Sequence, residues 1–199
     1  MNILRWENWL NCVASVVSAF GIMLLQAPAL ADGVSVLGVR SLSSVISEPA
    51  VRPAVGPACT QNVSITSLAN QHLVSAELGY AGSDYAMLRA RATAVGPWEQ
   101  YTLCNYAGDG YWTIQSQANG LYVSAELGYS GNQYGMLRAR ASVVGPWEKF
   151  VFRSCGLGCT TILSQANGLF VSAELGYPAD QYGMLRARAS VVGPWEQFR

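Results

Sequence analysis

Residues 116–150 read SQANGLYVSAELGYSGNQYGMLRARASVVGPWEKF, and this stretch occurs three times in the chain. Copy one runs from Ser67 to Tyr101 and copy three from Ser164 to Phe198. Copies two and three differ at five of 35 aligned positions, and the equivalent tryptophans Trp98, Trp147 and Trp195 lie 49 and 48 residues apart. A repeat of this period indicates one supersecondary unit that is used three times.

Each copy has the residue pattern of short strands separated by turns. In Met136–Ala141, apolar and charged residues alternate with a period of two, which predicts a strand. Leu137 and the two alanines of this strand are expected inside and both its arginines outside. The Pro and Trp of Val-Gly-Pro-Trp-Glu are expected to set a turn and to anchor the interior, where Trp147 and Phe150 fill the space left by the small alanines.

Four strands in each of three copies give about twelve strands in an all-β chain. Closing three copies about an axis buries their apolar faces and removes free strand edges. That geometry is a β-trefoil. Three units are too few for a propeller, and no polar capping repeat of an open solenoid is visible. We therefore predict a single β-trefoil at 59–199, with repeats at about 60–108, 109–156 and 157–199.

The N-terminal residues have the composition of a targeting segment. An uncharged apolar run, Cys12–Leu25, precedes Ala29-Leu30-Ala31, which predicts a signal peptide at 1–31. A transmembrane anchor is less favoured because the run is shorter than about 18 residues. Residues 32–58 contain three prolines and no sustained period, so we interpret them as a linker. We expect the mature protein to be secreted, with no membrane span.

Four cysteines remain after Ala31: Cys59, Cys104, Cys155 and Cys159. An even number of cysteines in an exported chain favours two disulfides, and three pairings are open. We favour Cys59–Cys104, which brackets copy one, and Cys155–Cys159, which is close enough to pinch a turn. No CxxC pair or neighbouring histidine supports a zinc site, so we predict no metal.

Charge and motif content exclude several function classes. The chain has 12 Lys+Arg and 12 Asp+Glu, so it lacks the basic field that nucleic acid requires. His72 is its one histidine, and it contains no GxSxG, HExxH or phosphate-binding loop. Acids repeated three times without an asymmetric cleft fit catalysis poorly. We predict neither enzyme activity nor a cofactor.

The motifs resemble those of the fascin-type β-trefoil. The relevant segments of copy two are Gly110–Ser116, Gly120–Glu126, Leu137–Ala139 and Trp147–Phe150, and the likeness covers roughly residues 60–199. The resemblance implies a non-catalytic binding or cross-linking fold. Members of that family bundle actin inside eukaryotic cells, whereas relatives in exported microbial proteins resemble adhesion or carbohydrate-binding modules.

Copy one departs from this pattern at its first turn. It has Gln71 where the other copies have Gly120 and Gly168, so the turn lacks the residue that accepts a positive φ most easily.

The loop between the second and third strands of each copy carries two tyrosines and is long for a hairpin. A tyrosine offers a flat apolar face and a hydroxyl, which suits a sugar ring. Polar residues precede the second tyrosine, and a glutamate lies at the loop entrance. The candidate ligand contacts are Tyr80, Asp84, Tyr85, Tyr129, Gln133, Tyr134, Tyr177, Gln181, Tyr182, Glu77, Glu126 and Glu174.

Structural roles compete with these assignments. The tyrosines are also suited to clamping a loop onto a neighbouring copy. The paired arginines are suited either to binding an acidic glycan or to pairing with the glutamates across the hairpin, which the balanced charge favours.

Three functions follow from the sequence. The first is a monomeric exported module that binds carbohydrate at up to three sites. The second is a fascin-like module that binds actin or another protein, which the presence of only one lysine, Lys149, disfavours. The third is a structural or inhibitory surface protein with an extracellular protein partner.

Overall fold

The computed structural model describes Gly56–Arg199, and the predicted signal peptide and most of the predicted linker lie outside these residues. The described part is all-β and contains no α-helix. Its strands are β1 (Ala58–Val63), β2 (Leu73–Glu77), β3 (Met87–Ala92), β4 (Tyr101–Tyr106), β5 (Tyr111–Ser116), β6 (Tyr122–Glu126), β7 (Met136–Ala141), β8 (Phe150–Gly156), β9 (Cys159–Ser164), β10 (Phe170–Glu174) and β11 (Met184–Ala189). Single-turn 3-10 helices lie at Gly82–Asp84, Pro97–Glu99, Gly131–Gln133, Pro146–Glu148, Ala179–Gln181 and Pro194–Glu196.

The strands form antiparallel hairpins of two kinds. The hairpins β4–β5 and β8–β9 join the end of one copy to the start of the next, and β1 pairs with β4. The hairpins β2–β3, β6–β7 and β10–β11 each lie within one copy. The third strands of the three copies also pair with one another, β3 with β7, β3 with β11 and β7 with β11.

The three copies contribute equivalent side chains to one buried core. Its isoleucines are Ile65, Ile114 and Ile162, its valines Val74, Val123 and Val171, and its leucines Leu88, Leu137 and Leu185. The aromatic residues of the core are Tyr101, Phe150 and Phe198, which begin the last strand segment of each copy. Burial of a side chain of this size stabilises a fold by about 1.5–3 kcal/mol.

The predicted interior role of the tryptophans is wrong. Trp98 and Trp195 are 37% and 39% exposed, and Trp147 is half-buried. Each lies within a 3-10 turn, and the aromatic residue three positions later enters the core instead.

A β-bulge changes the predicted alternation in each third strand. In the β6–β7 hairpin, Tyr122 pairs with Ala141 but Val123 pairs with Ala139, so Arg140 is the extra residue. Ala139 is fully buried, as expected, whereas Ala141 is only half-buried because it lies beyond the register shift.

Two disulfides join Cys59 to Cys104 and Cys155 to Cys159, the pairing that the cysteine positions favoured. The first connects β1 to β4, and the second closes the turn between β8 and β9. Among residues 56–199, no helix is long and apolar enough to span a bilayer.

Candidate functional site

The tyrosine-bearing loops connect the second strand of each copy to the third. We call residues 78–86, 127–135 and 175–183 the first, second and third Tyr loops. They adjoin one another because the strands that follow them pair: Met87 lies opposite Arg138, Met184 opposite Arg89, and Met136 opposite Arg186. The three methionines form a small buried cluster, against which Tyr80 packs. The loops therefore make one continuous surface.

A buried arginine of one copy holds the Tyr loop of another. Arg138 donates from Nε to the carbonyl oxygen of Tyr85 at 2.8 Å and from Nη2 to that of Gly82 at 3.0 Å. Its remaining nitrogen, Nη1, donates to the Tyr129 hydroxyl at 3.1 Å. These contacts fix the backbone of the first Tyr loop at both ends of its 3-10 turn.

Arg89 makes the equivalent contacts to the third Tyr loop. It donates to the carbonyl oxygens of Tyr182 at 2.9 Å and Ala179 at 2.8 Å, and to the Tyr80 hydroxyl at 2.9 Å. Arg89 and Arg138 are each 5% exposed. The prediction that both arginines of each strand face solvent is therefore wrong for the first of each pair, because an adjacent loop covers that face.

Arg186 holds the second Tyr loop less completely. It is 1% exposed and donates from Nη1 to the carbonyl oxygen of Asn132. Its Nε and Nη2 have no hydrogen-bond partner among the described residues. Instead, the guanidinium lies 4.7 Å from the centre of the Tyr177 ring, and Nη2 is 3.4 Å from the Glu174 carboxylate.

The first tyrosine of each loop links two loops or supports an arginine. Tyr80 donates to Asp180 at 3.0 Å, and Tyr177 donates to Asn132 at 3.3 Å, in each case across to another copy. Burial, followed by the hydrogen bond with Asp180, raises the pKa of Tyr80. Tyr129 accepts its bond from Arg138 within its own copy. These contacts give the first tyrosines a structural role.

The second tyrosine of each loop remains accessible. Tyr85 and Tyr134 are each 36% exposed, and Tyr182 is half-buried. The main-chain carbonyls of Tyr85 and Tyr182 are held by buried arginines, so the backbone that carries these rings is fixed. The exposed part of the Tyr-loop surface therefore has an aromatic ring from each copy.

Several polar groups of this surface bind one another. Gln133 donates to the Ser83 hydroxyl at 2.7 Å and to Asp84 at 3.1 Å, which joins the second loop to the first. Asp180 and Asn132 join loops through the tyrosines described above, a contribution that the sequence did not indicate. Gln181 is half-buried in the third loop.

The loop-entrance glutamates do not face the Tyr-loop surface as free groups. Glu77, Glu126 and Glu174 are only 1–3% exposed, and their carboxylates accept paired hydrogen bonds from Arg91, Arg140 and Arg188. In copy three these bonds are 2.6 and 2.8 Å long. The expected cross-hairpin pairing is confirmed for the second arginine of each pair. The predicted contact of Glu77, Glu126 and Glu174 with a ligand does not fit the burial of these three side chains.

The hydrogen bond to Glu77 is the main cause that raises the pKa of Arg91, and Glu126 and Glu174 raise the pKa of Arg140 and Arg188 in the same way. The guanidinium groups are part-exposed, but their charge is matched at close range. An acidic glycan would have to compete with a carboxylate for each of them.

A second set of glutamates has a backbone role. Glu148 is 6% exposed and accepts a hydrogen bond from the Gly145 N–H at 2.7 Å, which closes the 3-10 turn around Trp147. Glu99 and Glu196 make the same contact in the other copies. The described residues contain no group of three His, Cys, Asp or Glu side chains suited to a metal ion.

Solved structures resemble this chain at low sequence identity. The designed 3-fold symmetric protein ThreeFoil matches with a TM-score of 0.58 and 15% identity, over 68% of this chain and 94% of its own. This chain has a β-trefoil-like fold. The likeness shows the fold alone and does not specify the fascin type. No protein-family model and no curated protein matches the sequence.

Two further structures share the fold as part of longer chains. A lectin of Polyporus squamosus, bound to the glycan Neu5Aca2-6Galb1-4GlcNAc, matches with a TM-score of 0.54 and 12% identity over 72% of this chain and 48% of its own. An exo-beta-1,3-galactanase from Clostridium thermocellum matches with a TM-score of 0.56 and 16% identity over 74% and 30%. The chain thus spans under half of the lectin and under a third of the galactanase.

Proposed function

We propose that the protein is an exported, non-catalytic carbohydrate-binding module, built as a single β-trefoil of three repeats. The observation that carries this proposal is the Tyr-loop surface, on which Tyr85, Tyr134 and Tyr182 lie on loops that part-buried hydrogen bonds join to one another. A sugar ring stacks its C–H face on such a ring while its hydroxyls meet the phenol and nearby polar groups.

The fixed backbone of the loops favours binding. Ordering a flexible loop or side chain at an interface costs about 0.5–1.5 kcal/mol for each mobile side chain. The buried arginines hold the backbone of the first and third loops, which lowers the loop-ordering part of this cost before any ligand arrives. The glycan-bound lectin that shares the fold supports carbohydrate as the ligand class at a coarse level.

The adjacency of the loops favours one branched or repeated glycan over three independent ligands. Linked sites raise the overall affinity by about 10²–10⁴ when they are used together. A weak contact at each tyrosine is then sufficient for useful binding.

The environments of the repeated glutamates argue against glycoside hydrolysis. That reaction needs two carboxyl groups about 5–10 Å apart that reach the glycosidic bond. Here the loop-entrance carboxylates are buried against arginines, and those of Glu99, Glu148 and Glu196 bind backbone N–H groups. The proposal of a non-catalytic role rests on these structural contacts of the repeated glutamates.

Export is supported by the two disulfides, since such bonds persist in oxidising compartments. It also rests on the predicted signal peptide at 1–31 and linker at 32–58.

Binding to an array of glycans tests this function with Tyr85→Ala, Tyr134→Ala and Tyr182→Ala, singly and together. Each single change is expected to weaken binding by about tenfold, and the triple change to abolish it. Tyr106→Ala is the matched control, because Tyr106 lies at the end of β4 and stacks on Tyr111 outside the Tyr loops. Unchanged binding by the triple variant would contradict the site.

A further inference from the structure

The Gly-Pro-Trp-Glu turn of each copy exposes an apolar surface. Trp98 and Trp195 are 37% and 39% exposed, and Trp147 is half-buried. Valines that precede the turn are also exposed, Val143 by 73% and Val191 by 74%. Single exposed apolar residues are normal, but large ones at the same position of all three copies indicate a binding surface.

A glycine at the start of each Tyr loop lies beside the indole ring. A Cβ at Gly79, Gly128 or Gly176 would lie 3.7, 3.4 or 3.5 Å from Cη2 of the tryptophan of the same copy, which is ordinary contact. These three glycines do not have the left-handed φ that favours glycine. Neither backbone conformation nor crowding therefore requires glycine here. Any larger side chain would lie against the ring, so the repeated glycine leaves that edge of the indole uncovered.

Each hairpin also holds a part-exposed guanidinium at a fixed position. Arg91 donates from Nε and Nη2 to Glu77, two residues before Gly79, and its Nη1 makes no hydrogen bond among the described residues. Arg140 is held in the same way by Glu126. The two arginine side chains are 45% and 44% exposed. Each therefore offers N–H donors whose charge is already matched, which suits the hydroxyl of a neutral ligand.

The tryptophan turn and the guanidinium are neighbours. The 3-10 turn that contains Trp98 packs against β2, the strand that ends at Glu77. The hydrogen bond to Glu77 is the main cause that raises the pKa of Arg91, and the charge of Glu99 also raises it. In copy three, Arg188 also lies near the first tyrosine of its loop, so its donors are less free. The arrangement is thus most complete in copies one and two.

The indole, the glycine and the arginine of one copy form what we call a Trp flank. The three Trp flanks are Trp98 with Gly79 and Arg91, Trp147 with Gly128 and Arg140, and Trp195 with Gly176 and Arg188. We propose that each Trp flank binds one pyranose ring of a neutral glycan. The C–H face of the sugar stacks on the indole, and a ring hydroxyl accepts a hydrogen bond from Nη1 of the arginine.

The size and charge of a Trp flank favour a sugar over other ligands. Its apolar part is one indole with a neighbouring valine, whereas a protein partner covers about 800 Å². The guanidinium is already paired with a carboxylate, which disfavours an anionic sugar. The Trp flank uses none of the second tyrosines of the Tyr loops, so this inference goes beyond the site proposed above.

Indole N–H signals in two-dimensional NMR test the Trp flanks in the unmodified protein. Cellohexaose, chitohexaose and laminarihexaose, each up to about 5 mM, are the probes, because contact with one ring is weak. At least one probe is expected to shift the signals of Trp98, Trp147 and Trp195 saturably. Trp112, which packs edge-on against Phe152, is the internal reference and is expected not to shift. Absence of shifts with all three probes, or equal shifts of Trp112, would overturn the proposal.

Covering the indoles gives a second test. The triple variant Gly79→Gln/Gly128→Gln/Gly176→Gln is expected to fold, because these positions have no positive φ, and to bind the probe at least about tenfold more weakly. Gly108→Gln is the matched control, because Gly108 lies in the turn between β4 and β5 without a positive φ and without a neighbour within 4 Å. It is expected to leave binding intact. Undiminished binding by the triple variant would contradict the Trp flanks.

The variant Tyr85→Ala/Tyr134→Ala/Tyr182→Ala separates this inference from the Tyr-loop site. It is expected to lose binding to a glycan array but to retain the indole shifts at millimolar probe. Array binding by the unmodified protein without any indole shift would refute the Trp flanks alone. Absence of both signals would refute the proposed function as well.

Discussion

Two arginines separated by one residue have different roles in each Met-Leu-Arg-Ala-Arg segment. Arg138 is buried and donates to carbonyl oxygens of the first Tyr loop, whereas Arg140 is part-exposed and pairs with Glu126 of its own hairpin. The sequence alternation is the same for both. What differs is the neighbour, since an adjacent loop covers the first arginine and the bulge displaces the second.

Replacement of Arg138 tests the buried role. Arg138→Met is expected to lower the free energy of unfolding by about 2–4 kcal/mol, because it leaves two loop carbonyls without their charged donor. Urea unfolding measures the change. Arg153→Met, at an exposed position of β8, is the control and is expected to cost less than about 0.5 kcal/mol. Equal effects of the two changes would contradict a stabilising role for the contact between Arg138 and the first Tyr loop.

The three copies offer an internal comparison. Arg186→Met is expected to cost less than Arg138→Met, because Arg186 makes one hydrogen bond to the adjacent loop and Arg138 makes two. The same unfolding measurement decides between them. A larger loss for Arg186 would show that its contacts with Tyr177 and Glu174 outweigh the missing bonds.

At the scale of elements, the first turn of each copy has the same backbone conformation, although its left-handed residue is glycine in two copies and glutamine in the other. Gly120 and Gly168 have φ of 69°, and Gln71 adopts nearly the same angle, 60°. Copy one therefore holds a non-glycine residue, Gln71, in the left-handed region that disfavours side chains. Asn70 secures the turn by donating to the Ala90 carbonyl at 2.8 Å, as Asn119 and Asn167 do to Ala139 and Ala187.

Gln71→Gly is expected to stabilise the protein by about 0.5–1 kcal/mol, because relief of the left-handed conformation outweighs the added freedom of the unfolded chain. The reverse change, Gly120→Gln, is expected to destabilise by a similar amount through its positive φ alone, since a Cβ at that position meets no other atom within 4 Å. Thermal unfolding compares both with the parent. Destabilisation by Gln71→Gly would mean that the bond from Gln71 to the Leu68 carbonyl is worth more than the strain.

Strands and repeats could be predicted from the sequence because alternation and turn residues are local properties. The all-β class also followed from the strand pattern, and the cysteine positions favoured, among three open pairings, the two disulfides of the structure. The register shift at Arg140 could not be foreseen, since a bulge depends on the partner strand. Burial of Arg89 and of the loop-entrance glutamates depends on contacts between copies or strands, which no local pattern records. For the same reason the sequence did not separate the clamping tyrosines from the exposed ones.

At the scale of the whole molecule, the two disulfides close loops of very different length. Cys59 and Cys104 are 45 residues apart, and Cys155 and Cys159 are four apart. A chain-entropy estimate gives about 4 kcal/mol for the first and about 2 kcal/mol for the second. We expect Cys59→Ser/Cys104→Ser to lower the unfolding temperature more than Cys155→Ser/Cys159→Ser does. The reverse order in calorimetry would contradict an origin in chain entropy.

The arginine contacts run in one direction around the molecule and return to their start. Arg138 of copy two donates to the Tyr loop of copy one, Arg89 of copy one donates to that of copy three, and Arg186 of copy three donates to that of copy two. Each copy therefore both donates an arginine contact and receives one, so no copy can be removed without breaking two of these contacts. A chain shortened to two copies would keep at most one of these three contacts. One buried guanidinium would then lack its backbone acceptors, and one Tyr loop would lack its arginine donor. A substitution that alters the backbone of one Tyr loop therefore also changes the surroundings of a buried arginine in another copy.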